Sequence, residues 1–224
     1  MTGNKPRRIK ALGSGGEAAP ADATQPARAR ILSAAFAVFT ERGYGGASTL
    51  EIATRARVSK RELYALFGDK RAMLAACIGA RARRMRDPLE LPDPQDRGSL
   101  AAVLTAFGAN LLYELSRPQV TAVFRLAIQE PESPEVALAL DSGGRKATRK
   151  ALDGLLERAR AAGLIATTDI AAAGAQFMAL LCADLQLKLL LGLSRPPGRR
   201  ALERQAREAA EALLALHPPA PRGG

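Results

Sequence analysis

The sequence predicts an all-α protein in two parts, and three observations carry that expectation. Ala, Leu and Arg, strong helix formers, dominate a chain of 224 residues that is 47% hydrophobic but only 4% aromatic. Apolar residues recur at helical spacing in one segment after another, and the alternation of Val, Ile and Thr with polar residues that marks a strand is missing. Prolines and glycines punctuate these segments, and the chain is long enough for a small domain joined to a larger one.

Residues 1–25 carry Lys5, Arg7, Arg8 and Lys10 among Gly, Ala and Pro without apolar periodicity, and read as a disordered basic arm. No apolar run follows those cations, so the arm does not read as a signal peptide. From Pro26 the pattern changes: Ile31, Leu32, Ala35, Phe36 and Phe39 form one stripe of a helix ending at Gly43. Short helices are expected over Ser48–Ala56 and Ser59–Phe67 and a longer one over Lys70–Arg86, so that residues 26–86 form a first domain. Asp87–Gly98, with three prolines, reads as the linker.

A second domain, residues 99–217, is expected to hold helices over Ser99–Leu115, Gln119–Gln129, Pro134–Ala161, Asp169–Leu193 and Arg199–Leu216. Ser133 before Pro134 makes a good N-cap with Pro at the first helical position, and Gly143–Gly144 weakens that helix. Ile170–Leu193 is interrupted by Gln176, Asp184, Gln186 and Lys188, which argues against a membrane span. The tail Pro218–Gly224 is expected to be loose.

Charge separates the two parts. The net is +11, but residues 1–90 hold 17 Lys and Arg against 8 Asp and Glu, while residues 91–224 hold 16 against 14. A basic module attached to a nearly neutral one points to a polyanion at one end of the molecule. Cys77 and Cys182 lie in separate helical patterns without a CxxC, which fits a reducing compartment and a cytoplasmic location.

The most informative stretch is Ser48–Phe67. Ser48 with Glu51 and Ser59 with Glu62 spell two capping boxes, each opening a helix too short to be stable alone. Ile52 and Ala53 face inward on the first helix, Leu63 and Phe67 on the second, and Val58 plugs the turn between them. That pattern is a helix-turn-helix, whose second helix enters the major groove N-terminus first. The exposed early positions of that helix are Lys60, Arg61, Glu62 and Tyr64. Arg can fork onto guanine and Glu can accept from cytosine. Lys70, with Asp69 as N-cap, opens the next helix where a phosphate is favoured.

These pieces, in order, resemble the DNA-binding domain of the TetR family: Ile31–Phe39, Gly43-Tyr44, Ser48–Ala53, Val58 to Arg61, Leu63 to Phe67, and Asp69-Lys70. Three positions depart from the family pattern: Arg57 stands where Gly is usual, Glu62 where Thr is frequent and Leu66 where His is frequent. The resemblance implies a three-helix DNA-binding domain joined to a helical bundle for effector binding and dimerisation. It implies a repressor that binds a palindromic operator in double-stranded DNA as a homodimer and answers to a small apolar effector, without cofactor, metal or membrane. The DNA-binding set is then Thr49, Ser59, Lys60, Arg61, Glu62, Tyr64 and Lys70. The stretch Phe124–Leu193 resembles the AefR-like branch. Phe107, Leu111, Phe124, Ile128 and Phe177 become candidate ligand-lining residues. Ala175, Ala179, Leu202, Ala209 and Leu213 become candidate interface residues, because Asp169–Leu193 is apolar on nearly every face and must be covered on all sides.

Two other classes compete. An enzyme is excluded by the want of chemistry: the single histidine, His217, stands beside Pro218–Pro219 in the tail, no Gly-rich loop follows a strand, and no metal cluster is spelled. An architectural DNA-binding protein without an effector stays open, because Asn110, Gln129, Gln176 and Asp184 fit a cavity wall and a satisfied core equally well.

Overall fold

The computed structural model describes residues 21–129 and 134–219, with side chains from residue 26 onward. Among the described residues every regular element is helical. The order is α1 (Ala21–Gly46), α2 (Thr49–Ala56), α3 (Lys60–Phe67), α4 (Lys70–Arg86), a 3₁₀ turn (Asp87–Glu90), α5 (Arg97–Leu115), α6 (Pro118–Gln129), α7 (Glu135–Ala139), a π-helical segment (Leu140–Lys146), α8 (Ala147–Ala161), α9 (Ile170–Cys182), α10 (Leu185–Leu191) and α11 (Arg199–Leu216).

The basic arm expected over residues 1–25 lies outside the described residues as far as residue 20; from Ala21 the backbone is already helical, with Pro26 inside α1. Gly43 ends the regular part of that helix as expected, at φ 73° and ψ 171°, a conformation only Gly adopts without strain.

Two apolar cores share α4. Ile31, Phe39, Ile52, Leu63 and Leu74 build the first, and Val123, Val136 and Ala139 from α6 and α7 close it. The first core therefore extends beyond the expected boundary at residue 86. The second core joins Ala82 and Met85 of α4 to Leu104, Phe107, Leu152, Phe177 and Leu213 of the later helices. α11 lies along α5 as the most extensive helix contact. A Cβ on Gly108 would stand 2.9 Å from Leu181 Cδ1 and 3.0 Å from Ala206 Cβ, so α5, α9 and α11 meet only because that position is Gly. α5 is long and apolar enough to cross a membrane by length and composition, but its Leu100, Leu104 and Phe107 are fully enclosed by these neighbours.

Three expectations need correction. Residues 87–98 are packed rather than a free linker: Pro88 and Leu89 are buried, and Arg158 donates to Asp93 Oδ1 at 2.5 Å and to the Leu89 carbonyl at 3.2 Å. Asp169–Leu193 is two helices bent by 50°, because Ala183 takes φ 42° and ψ −123°. As expected, the glycines at 143 and 144 weaken their helix, into a π-helical segment that does not end it. His217 is held rather than loose, its Nε2 2.7 Å from Gln176 Oε1, and the Pro218 carbonyl accepts from Ala166 N at 2.8 Å; residues 220–224 of the tail lie outside the described residues.

Candidate nucleic-acid interface and ligand cavity

The helix-turn-helix forms from short helices whose ends are satisfied by side chains. Leu50 N–H donates to Ser48 Oγ at 3.2 Å and Glu62 N–H to Ser59 Oγ at 3.0 Å. Glu51 does not return the bond to Ser48; its carboxylate takes Arg55 at 2.6 Å and Arg42 at 3.8 Å. Arg57 adopts the left-handed conformation at φ 55° and ψ 50°, at an intrinsic cost of about 1–2 kcal/mol for a residue with a Cβ. Val58 N–H donating to the Ala53 carbonyl at 3.1 Å and Arg30 Nε donating to the Ala56 carbonyl at 3.0 Å hold the turn against that cost.

With Leu63 and Phe67 buried, α3 turns Lys60, Arg61, Glu62 and Tyr64 to solvent. Thr49 of α2 joins them: its Oγ1 lies 3.1 Å from Tyr64 Oη, and Lys60 Nζ sits 5.8 Å above the Tyr64 ring. Ser59 is exposed too, but its hydroxyl is engaged as the cap of α3. Lys70 departs from the expected set. Its ammonium donates to the Tyr44 carbonyl at 2.8 Å and lies 4.6 Å above the Tyr44 ring, clamping the α1–α2 connection instead of standing free. Asp69 already caps α4, accepting from Ala72 N at 2.6 Å, and a carboxylate there opposes a phosphate.

A cavity of about 580 Å³ opens between α1, α4 and the later helices. Leu111, Phe124 and Ile128, three of the five candidate ligand-lining residues, line it. Phe107 and Phe177 do not; they stack on each other at 6.1 Å in the second core, fully buried. Gln129, Gln176 and Asp184, which fitted either a cavity wall or a satisfied core, are in neither: all three are exposed. The wall instead carries Arg81, Glu114 and Thr148. Arg81 Nη1 lies 3.2 Å from Glu114 Oε2, and the guanidinium covers the Phe36 ring at 3.8 Å. Burial pulls the Arg81 pKa below its ordinary value, against the opposing attraction of Glu114.

The candidate interface residues divide. Ala175 and Ala179 lie on the exposed face of α9, continued by Leu180, Leu187 and Leu191 at 40%, 58% and 63% exposure. Leu202, Ala209 and Leu213 are at most 3% exposed, because α5 of the same chain already covers that stripe of α11. They cannot meet a second copy without unpacking the second core.

Comparison with known proteins follows the same division. Residues 102–217 match the family described as "AefR-like transcriptional repressor, C-terminal domain", and residues 31–77 match "Bacterial regulatory proteins, tetR family". The chain belongs to the TetR family. It is 29% identical over 107 residues to the uncharacterized HTH-type transcriptional regulator YvkB of Bacillus subtilis (strain 168), a match spanning 48% of this chain and about half, 53%, of that relative's length. Among solved structures, a TetR transcriptional regulator from Agrobacterium tumefaciens superposes with a TM-score of 0.71 at 28% identity, covering 86% of this chain and 95% of that one. The flavonoid-responsive regulator FrrA superposes with a TM-score of 0.66 at 29% identity, covering 88% and 100%.

Within this TetR-family chain, sequence reasoning passed over four residues at the two sites. Leu50, 62% exposed beside Thr49, presents an apolar surface of the kind that contacts a thymine methyl. Its signal was a large apolar residue off the inward stripe of α2. Arg81, Glu114 and Thr148 each stand on an apolar stripe: Leu74, Ile78, Arg81, Met85 on α4; Phe107, Leu111, Glu114 on α5; Thr148, Leu152, Leu155 on α8. A polar residue in a core register was the readable sign.

Proposed function

We propose that this TetR-family regulator is a ligand-responsive repressor that binds a palindromic operator as a homodimer. The observation that carries the reading is the capped, exposed start of α3, where Lys60, Arg61, Glu62 and Tyr64 face outward on a helix anchored by Leu63 and Phe67. Two such helices in successive major grooves lie about 35 Å apart, one helical turn of DNA. Lys70 is left out of the reading set because the Tyr44 carbonyl holds it.

The dimer is supported by the exposed apolar face of α9 and α10, which needs cover that the described residues do not provide. The same patch on both copies would pair around a two-fold axis, matching the symmetry of a palindrome. Release by a ligand is supported by the cavity, whose wall includes Phe36 of α1 and Ile78 of α4 as well as the later helices. A molecule that prefers one spacing of these helices shifts the position of α3, so that ligand and operator oppose each other. FrrA, a relative of the same fold, is described as responding to flavonoids, which favours a small, largely apolar effector here too. DNA as partner places the protein in the cytoplasm.

Selection from a library of random duplexes by the purified protein tests the reading. Enrichment of an inverted repeat is expected. Enrichment of an asymmetric site, or of none, contradicts it.

A further inference from the structure

Glu114 belongs to the walls of two pockets. Besides the large apolar cavity, it borders a smaller one of about 240 Å³, lined by Arg84 of α4, Ala109, Asn110 and Tyr113 of α5, and Arg199, the first residue of α11. This second pocket differs from the first in its balance of charge. Both oxygens of the Glu114 carboxylate are taken, Oε2 by Arg81 at 3.2 Å and Oε1 by Arg117 at 3.4 Å. Arg199 holds Glu203 at 3.1 Å, and Arg84 has no carboxylate among the described residues. Four guanidinium groups therefore share two carboxylates.

The four are also within one another's reach. Burial is the main cause that lowers the Arg81 pKa; Glu114 opposes it, and the charges of Arg117 and Arg84 deepen it. Like charges gathered at a concave surface raise the potential that an anion meets there. A monoanion would leave part of that surplus in place, whereas a dianion matches it. The Asn110 amide and the Tyr113 hydroxyl add neutral donors, neither of them engaged in a hydrogen bond among the described residues. A phosphate group carries close to two negative charges and several acceptor oxygens, and guanidinium forks fit it two bonds at a time.

We infer that this pocket binds the dianion of a phosphate group, either inorganic phosphate or the monoester of a small metabolite, with Arg84 and Arg199 as its cationic contacts and Asn110 and Tyr113 as neutral donors. The site is separate from the cavity read as the effector site and does not depend on that reading. The competing home for a phosphate is α3, where Lys60 and Arg61 stand in solvent.

Titration calorimetry of the full chain tests the assignment at about pH 8, where a phosphate monoester is a dianion. The probes are inorganic phosphate, glycerol 3-phosphate and acetate, each at constant ionic strength. Saturable binding of phosphate is expected, with acetate weaker by roughly tenfold or more; whichever of the two phosphates binds more tightly identifies the source. Arg84→Gln should weaken phosphate roughly tenfold, the worth of one hydrogen bond to a charged group. Tyr113→Phe, which keeps the ring, should weaken it roughly fivefold. Both side chains are exposed, so circular dichroism should stay helical. Arg61→Ala should leave phosphate binding as it is. The absence of saturable binding, acetate as tight as phosphate, indifference to Arg84→Gln, or loss of binding in Arg61→Ala overturns the inference.

Discussion

The two ends of the molecule hold their charged groups in opposite ways. On α3, Lys60, Arg61 and Glu62 stand in solvent. Around the cavity, Arg81, Arg145 and Arg149 are each engaged by a carboxylate. A cation not held by a carboxylate suits a dense polyanion, which repays its desolvation many times over by releasing counterions. A cation already neutralised next to apolar surface leaves a wall that favours neutral ligands. Net charge alone gave the sign of this contrast; the pairing of individual side chains gives its chemistry.

The largest expected effect concerns the surface between the two ends. Ala179→Arg on the exposed face of α9 should place an uncompensated charge in the seam between copies, at a cost of about 3–5 kcal/mol. Light scattering should then fall from twice the 23.6 kDa chain mass to the single value, with operator binding lost while circular dichroism stays helical. A wild-type chain already at the single mass would remove the dimer from the account.

Next in size is Arg61→Ala, which should weaken the selected operator by about 1–3 kcal/mol and relax preference at one base pair, leaving random DNA little changed. Equal loss on both DNAs would reduce Arg61 to a phosphate contact. Lys70→Ala sharpens the contrast from the other side. Because its ammonium serves the Tyr44 carbonyl, the substitution should lower folding stability by about 1 kcal/mol in urea unfolding. The salt dependence of DNA binding should not move. A flatter salt slope would return Lys70 to the phosphate set.

The smallest effect is chemical. Burial pushes the Cys77 thiol up to about 12 and raises that of Cys182 as well. A raised thiol stays protonated and unreactive in the folded chain. Its share of stability is therefore complete below the ordinary value of 9.0 and is lost as pH rises from there toward 12. Under native conditions a disulfide reagent should modify Cys182, which lines the cavity, well before Cys77, and a bound ligand should slow that reaction.

Much of this was legible in the sequence. The helical class and the helix-turn-helix between Ser48 and Phe67 follow from local rules, and the structure has both. The break at Ala183 was not legible, because nothing in a run of Ala and Leu announces a positive φ. The role of α11 was misjudged for a related reason: an apolar stripe states that something covers it, not what, and α5 takes Leu202 and Leu213. Lys70 was misread because a lysine at a helix start looks alike whether it reaches phosphate or a carbonyl 26 positions earlier in the chain.

Salt titration of both binding events on one preparation tests the contrast most directly. Affinity for the selected operator should fall steeply, with a log–log slope of about −4 or beyond, as expected when several phosphates are neutralised. Affinity of the cavity for a neutral apolar dye such as N-phenylnaphthylamine should stay flat over the same range, because the guanidinium groups of its wall are paired with carboxylates. A shallow slope for DNA, or a ligand affinity that collapses with salt, would contradict the account.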